Sequence, residues 1–329
     1  MSEKISIIIP VYNCESTLHR SLGSLQKQTF TNWEAICVDD GSTDGSARLL
    51  DEYAREDARF KIYHKENGGA ASARNVGLKA AKSAYIAMLD SDDEFFPDAL
   101  QRMYEAISTT SCDLVTSEVE VIRANGVANR DCIPFKGYMS MLPHFFTRYI
   151  RKGPVPFLFK KSIIEQYNLS FPEDLVVAED YVFTFCYGIC SKDIYVLQNP
   201  TYRYFYHIRE DSLTARFASL KNDFSAYKAN VETPLRVSKF MHSHDFDKSL
   251  VDQFDCELCH EFWRMYYMIY NAFARVGDYK TLRKLKHSIK ACKDEMKSLI
   301  PWWKWLIIPN RYPRLVPILR KIKKVISRG

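Results

Sequence analysis

No apolar stretch in this 329-residue chain reaches the roughly 18 residues that a membrane-spanning helix needs. No signal peptide is expected either, because Met1-Ser2-Glu3-Lys4 runs straight into a β-like segment. The nine cysteines lack the spacing of a disulfide framework, which points to a reducing cytosol. One group, Cys256-Glu-Leu-Cys259-His260, matches the haem-attachment pattern, but it lies among Phe254, Leu258, Phe262, Met265 and Ile269 at helical spacing. Those thiols read as core. Glycine is missing where a dinucleotide-binding protein requires it. After the first apolar run, Ile5 to Pro10, the chain continues Val-Tyr-Asn-Cys-Glu with no Gly-x-Gly-x-x-Gly turn. A Gly-Lys-Ser/Thr phosphate loop is absent as well. These gaps disfavour a dehydrogenase and leave any bound phosphate to be neutralised by a metal ion.

What is present describes an enzyme-sized globular protein, with 47% hydrophobic and 26% charged residues. A chain of 38.3 kDa can bury a large core and is expected to hold two structural units. The formal net charge of +6 is unevenly distributed. Residues 279–329 carry fifteen Lys/Arg against two acids, so the preceding part is at −7. A basic end on an acidic body implies an anionic partner for that end.

The first half alternates strand and helix. Ile5 to Pro10 suits a strand buried on both faces, and a helix follows from about Glu15 with Leu18, Leu22 and Leu25 on one side. Trp33 to Val38 is the second strand, closed by the loop Asp39-Asp40-Gly41-Ser42-Thr43-Asp44-Gly45. Phe60 to Tyr63 is the third, and Ala70 to Ala81 is strongly helix-forming with Arg74 in its second turn. Tyr85 to Leu89 is the fourth, and Asp90-Ser91-Asp92-Asp93 follows at once. Strands alternating with helices predict a mostly parallel sheet between helical layers, whose ligands bind beyond the carboxyl ends of the strands. Taken alone, the Asp-rich tetrapeptide reads as a solvated turn. At a strand end it also suits a hard divalent cation such as Mg²⁺ or Mn²⁺.

Five segments in this order decide between the two. Ile7-Ile-Ile-Pro-Val-Tyr-Asn13, Val38-Asp-Asp-Gly-Ser-Thr-Asp44, Asn67-Gly-Gly, Ala73-Arg-Asn-Val-Gly77 and Leu89-Asp-Ser-Asp-Asp93 resemble successive signatures of the family 2 glycosyltransferases. The resemblance covers roughly residues 1–215 and weakens after 120. It implies an α/β GT-A nucleotide-diphospho-sugar transferase fold with a helical C-terminal appendage, and an inverting transfer of the kind used to build bacterial surface glycans. Carried over position by position, Pro10, Val11 and Tyr12 would line the base and ribose pocket, and Asp39 would accept a hydrogen bond from the uracil imide. Asn67, Gly69, Arg74 and Ser91 would flank the nucleotide, with Asp90 at the ribose hydroxyls. Asp92 would ligate the metal, Mn²⁺ or Mg²⁺, with Asp93 beside it.

Further on, Cys112 to Ile122 reads as one more strand with Asp113, Ser117 and Glu120 as its polar positions, and a short helix is predicted over 161–167. Residues 123–152 are expected to help shape the acceptor side. Glu179 and Asp180 open an apolar helix, where carboxylates gain about 0.3–1 kcal/mol from the dipole without any catalytic role. The pair also resembles the family's Glu-Asp motif, in which one acid is the base that deprotonates the acceptor hydroxyl. Asp180 is taken as that base, with Glu179 orienting the acceptor. Tyr204-Phe-Tyr-His207-Ile-Arg209-Glu-Asp-Ser212 resembles the family's closing segment. Arg209 and Ser212 would meet the diphosphate, since Arg cannot bind a metal, and His207 is the candidate third ligand, with packing as its alternative.

Three regions are therefore expected: a catalytic domain over 1–215, a helical region over 216–300 and a tail over 301–329. In the tail, Trp302, Trp303 and Trp305 precede a basic amphipathic stretch beyond Pro317, a pattern suited to the surface of an anionic membrane. Its alternative use is packing on the protein itself or on a sister subunit, which would make a homodimer. Nothing resembling a nucleic-acid module accompanies the charge. The whole predicts a cytoplasmic enzyme attached peripherally to the inner face of the membrane. It would use a UDP-linked sugar, hexosyl or N-acetylhexosaminyl, and a glycan or glycolipid acceptor. Two other classes compete: a nucleotidyltransferase of similar fold, which would release pyrophosphate instead of UDP, and a non-catalytic nucleotide-sugar-binding protein, against which the intact acids argue.

Overall fold

Apolar β-branched runs account for the centre of the molecule. In the computed structural model, Ile5, Ile7, Ile8 and Ile9 of β1 (Ile5–Val11) are fully buried, so both faces of the strand are covered. Each such side chain contributes about 1.5–3 kcal/mol when removed from water. The structure describes residues 3–123, 125–126, 128–140, 153–175, 177–206 and 224–259, together with 290, 293–296 and 298. They fall into two compact units, one of residues 1–175 with 179–209 and one of residues 176–178 with 210–329.

In the first unit β1 lies parallel between β2 (Trp33–Asp39) and β4 (Tyr85–Met88), and β3 (Phe60–His64) pairs parallel with β2. The intervening helices are α1 (Glu15–Gln26), α2 (Ser46–Glu56) and α3 (Gly69–Ala80), as the alternation of the sequence predicts. α3 lies against β1 at Gly77, where a β-carbon would sit 2.4 Å from Ile8 Cγ2. Only glycine permits that approach.

Beyond β4 come β5 (Glu94–Phe95), α4 (Ala99–Thr110), β6 (Leu114–Thr116), β7 (Val119–Arg123), β8 (Ala128–Asp131) and β9 (Gly137–Ser140). These are followed by β10 (Phe157–Lys160), α5 (Lys161–Gln166), α6 (Glu179–Cys190), β11 (Asp193–Val196) and β12 (Tyr202–Tyr206). The large sheet has the order β3-β2-β1-β4-β10-β6-β11-β9, and a smaller sheet the order β5-β12-β7-β8. β10 runs antiparallel to both its neighbours, so the large sheet is mixed. The single strand expected over 112–122 is two strands, one in each sheet. Ser117 and Glu118 turn the chain between them and are buried. The Ser117 hydroxyl pairs with Thr201 Oγ1 at 2.7 Å, and Lys136 and the Ile133 amide bond to the Glu118 carboxylate. A bend stabilised by partners so distant in sequence leaves no local signal.

The second unit contains α7 (Phe224–His242) and further helix over 248–259. Val237, Met241, Phe254, Leu258 and Cys259 are fully buried within it, so Cys259 is a core thiol, and Cys256 is half-buried. His242 Nε2 meets the buried Asp255 carboxylate at 3.0 Å. No disulfide joins the eight described cysteines. No helix among the described residues is long and apolar enough to cross a membrane. The tail over 301–329 lies outside the described residues.

Candidate active site

The carboxyl ends of β1, β2 and β4 lie side by side, and the loops that leave them are stitched together. Asn13, at a φ of 48°, accepts the Thr43 amide on its side chain at 2.8 Å, and its own amide donates to Ser42 Oγ at 3.1 Å. Pro10 is half-buried and Val11 buried, while Tyr12 stands 50% exposed above the strand end. Asp39 is buried at the tip of β2, with one carboxylate oxygen accepting the Ser42 amide at 3.0 Å and the other 2.9 Å from His64 Nδ1.

Asp40, next in the chain, organises the third loop. It takes Lys65 Nζ at 2.6 Å and the amides of Gly68 and Gly69 at 3.0 and 2.7 Å, and its carbonyl accepts Asn67 Nδ2 at 2.9 Å. Gly41, at a φ of 74°, lets this loop approach, because a β-carbon there would lie 2.9 Å from the Asn67 amide. Asn67 and Gly69 are thus fixed at the start of α3 by an acid that the motif reading assigned no task.

The acidic turn after β4 is held from beneath by α1. Thr17 Oγ1 donates to the Ser91 carbonyl at 3.1 Å, Ser21 Oγ to the Asp90 carbonyl at 3.3 Å, and Arg20 to the Asp92 carbonyl. With their carbonyls occupied, Asp90 and Asp92 remain half-buried. Asp93 differs. It is fully buried and accepts the Tyr202 hydroxyl at 2.9 Å and the Phe205 amide at 2.8 Å, one on each oxygen. Tyr202 also accepts the Asp90 amide at 3.1 Å, so this buried phenol ties the turn to β12. Burial, then the charges of Asp90 and Asp92, push Asp93 well above the usual carboxylate range. Its carboxylate holds the turn in place and faces away from solvent. Among the described residues no group of three or more His, Cys, Asp or Glu is arranged to hold a metal ion. His207, Arg209 and Ser212 lie outside the described residues.

The acids at the start of α6 join the same site through Arg74. This buried side chain donates one guanidinium nitrogen to Asp90 Oδ1 at 3.1 Å and another to Glu179 Oε1 at 2.9 Å. Arg74 therefore links β4 to α6, and residues 105 positions apart in sequence become neighbours. Asp180 follows Glu179, and its Oδ1 accepts the Tyr181 amide at 2.7 Å. Burial and the Glu179 charge push Asp180 up to about 7, against the lowering effect of the Arg74 guanidinium. A carboxylate so poised can exchange a proton near neutral pH, which an ordinary surface aspartate cannot.

Asp40, His64 and Tyr202 are the residues that motif reading missed. Asp40 lies inside a quoted motif but was given no task, His64 stands three residues before another, and Tyr202 lies in an aromatic run outside them all.

Comparison with known proteins identifies the family. A model of glycosyl transferase family 2 matches residues 6–164. EpsH of Bacillus subtilis is 31% identical over 235 residues, which are 69% of this chain and 67% of that protein. The poly(ribitol-phosphate) beta-glucosyltransferase of Bacillus spizizenii is 33% identical over 213 residues, where the match spans 63% of this chain and only 33% of that protein. The poly(ribitol-phosphate) beta-N-acetylglucosaminyltransferase TarP of Staphylococcus aureus is 29% identical over 70% of each chain. Among solved structures, residues 1–349 of S. aureus TarS superpose with a TM-score of 0.70 at 21% identity, covering 90% of this chain and 83% of that one. That likeness is one of fold, and it extends the GT-A architecture beyond the matched motifs. With the motifs on strand ends, the fold shared and EpsH matched over two thirds of its length, this chain belongs to glycosyl transferase family 2.

Proposed function

We propose that the chain transfers a hexosyl or N-acetylhexosaminyl group from a UDP-sugar to an acceptor hydroxyl, inverting the anomeric carbon. The observation that carries this reading is Arg74, which joins the strand-end acid Asp90 to the helix-start acids, so that nucleotide-side and acceptor-side residues form one site. The acceptor oxygen attacks the anomeric carbon as the bond to the β-phosphate oxygen breaks. UDP leaves with that electron pair, and the hydroxyl proton passes to Asp180. Glu179 is held by Arg74 and orients the approach. Tyr12 and Asp39 take the base, the latter through the imide N–H. Relatives support the substrate class: TarP and the B. spizizenii enzyme are named for sugar transfer to poly(ribitol-phosphate), and TarS has been crystallised with UDP and with UDP-GlcNAc. The acceptor in this reading belongs to cell-surface polysaccharide or lipid-linked glycan synthesis, and the polymeric acceptor in those names supports a glycan-type acceptor. A UDP-release screen over sugar nucleotides tests the reading. Release of UDP with one sugar supports it, whereas pyrophosphate release, or UDP binding with no turnover of any donor, would sink it.

Mg²⁺ or Mn²⁺ fits this site in part. Asp92, half-buried two residues after Asp90, carries the hard carboxylate oxygens such an ion takes, and both Asp93 oxygens are engaged by Tyr202 and the Phe205 amide. One carboxylate completed by substrate phosphates and water is a usual arrangement for Mg²⁺. A divalent ion held there would neutralise charge developing on the departing diphosphate. Asp92→Asn is accordingly expected to abolish the Mn²⁺-dependent part of UDP binding with the fold intact. Metal-dependent binding equal to that of the unaltered protein would overturn the assignment.

The tail supplies the membrane contact in this reading. Each basic residue near an anionic leaflet contributes about 1 kcal/mol, and Arg320, Lys321, Lys323, Lys324 and Arg328 lie close together in sequence. Co-sedimentation with anionic vesicles should be strong for the full chain, weakened by salt, and lost on truncation after Leu299. Equal partitioning of the two proteins would refute the attachment.

A further inference from the structure

We propose that His64 is a positioning residue of the nucleobase pocket, whose imidazolium form fixes the Asp39 carboxylate and makes nucleotide binding depend on pH. This rests on the reading of Asp39 as the acceptor of the base. His64 stands opposite Asp39 in the β2–β3 register. Its Nδ1 lies 2.9 Å from Asp39 Oδ2, and its Nε2 lies 3.2 Å from Asp51 Oδ1 on α2. A neutral imidazole has one N–H and one lone pair, so in either tautomer one carboxylate would face a lone pair. Only the imidazolium donates to both. The other charges nearby turn elsewhere: Lys65 bonds to Asp40, and Arg55 Nε bonds to the Asp51 carbonyl.

The Asp39 hydrogen bond, partly offset by burial, and the Asp51 contact hold the His64 pKa above its ordinary value. The sign follows. The charge-assisted grip on Asp39 is present at and below the ordinary histidine range and weakens as pH rises through the elevated value. With Ser42 fixing the other oxygen, loss of that grip frees one half of the carboxylate that is to receive the imide N–H. A charge-assisted hydrogen bond is about twice as strong as a neutral one, so binding should weaken about fivefold.

Calorimetric titration of the full-length protein with UDP, at fixed Mg²⁺ from about pH 5.5 to about pH 9, tests this. UDP's own terminal phosphate and Asp180 also titrate in that range, and His64→Gln retains both, so the difference between the two profiles isolates His64. The unaltered protein should lose about fivefold more affinity across the range than His64→Gln. Asp51→Asn, at an exposed helix position, should move the break to lower pH while the Asp39 contact persists. Superimposable profiles for the unaltered protein and His64→Gln would overturn the proposal. An unmoved break in Asp51→Asn would do so too, even should His64→Gln fail to fold. Asp39→Asn separates the role of Asp39 from that of His64. If it binds UDP normally, the reading of Asp39 falls and His64's role falls with it. If it loses UDP while the His64→Gln profile is unchanged, only the His64 inference fails.

Discussion

Asp180→Asn is expected to lower kcat by about 10²–10⁴-fold while UDP affinity stays within about twofold. Asp180 opens α6 beside Glu179, which Arg74 ties to Asp90, and in the proposed function it takes the proton of the acceptor hydroxyl. Its value of about 7 sets the pH dependence. A base must be ionised to act, so kcat of the unaltered enzyme should rise with pH through about 7, and the variant should lose that limb. Stability should move the other way. Between the ordinary carboxylate range and about 7, native Asp180 keeps a proton that the unfolded chain has released. Stability therefore falls as pH rises through that window. Asn cannot ionise, so the variant's Tm at pH 8 should equal or exceed that of the unaltered protein, an exchange of stability for function. Collapse of UDP binding with normal turnover of bound donor would instead place Asp180 at the nucleotide.

Arg74→Met should be the most destabilising single change in the site. The Arg74 and Glu179 side chains are 8% and 9% exposed, so removing the guanidinium leaves a buried carboxylate without its cation. Breaking such a pair from one side costs about 3–5 kcal/mol, far more than the methylene packing that Met retains. Arg74 Nε already lacks a hydrogen-bond partner, so the residue is held by its two ion pairs and by packing near the Phe171 ring. Arg74→Lys should recover part of the loss, since one ammonium cannot match a fork directed at two acids. Chemical denaturation gives the first readout. The second is kinetic: without the Arg74 charge the Asp180 carboxyl rises further, so the acid limb of kcat should move to higher pH in Arg74→Met, and by less in Arg74→Lys, which keeps a cation. Wild-type stability together with an unmoved limb would show that the triad is incidental.

Much of the first unit was determined by local sequence. Ile5–Val11, Trp33–Asp39 and Tyr85–Met88 are apolar on both faces, which suits only a strand covered on both sides, and the intervening helical periods force parallel crossovers. Once that order holds, Tyr12, Asp39 and Asp90 must reach one edge of the sheet, and the first-turn acids of α6 were equally plain. The tertiary structure decided what these residues do to one another. Asp93 looks identical to Asp92 in sequence, yet one side chain turns inward to Tyr202, 109 positions away, and the other does not. The division of 112–122 between two sheets depends on Thr201 and Lys136, and the antiparallel insertion of β10 beside β4 has no periodic signature. The Arg74 bridge joins acids from two distant segments, and its charge lowers the proton affinity that burial and Glu179 raise at Asp180. Periodicity records which face of an element is apolar, because burial acts on each side chain separately. Hydrogen bonds and charge pairs depend on distances between segments far apart in the chain, and those distances exist only after folding.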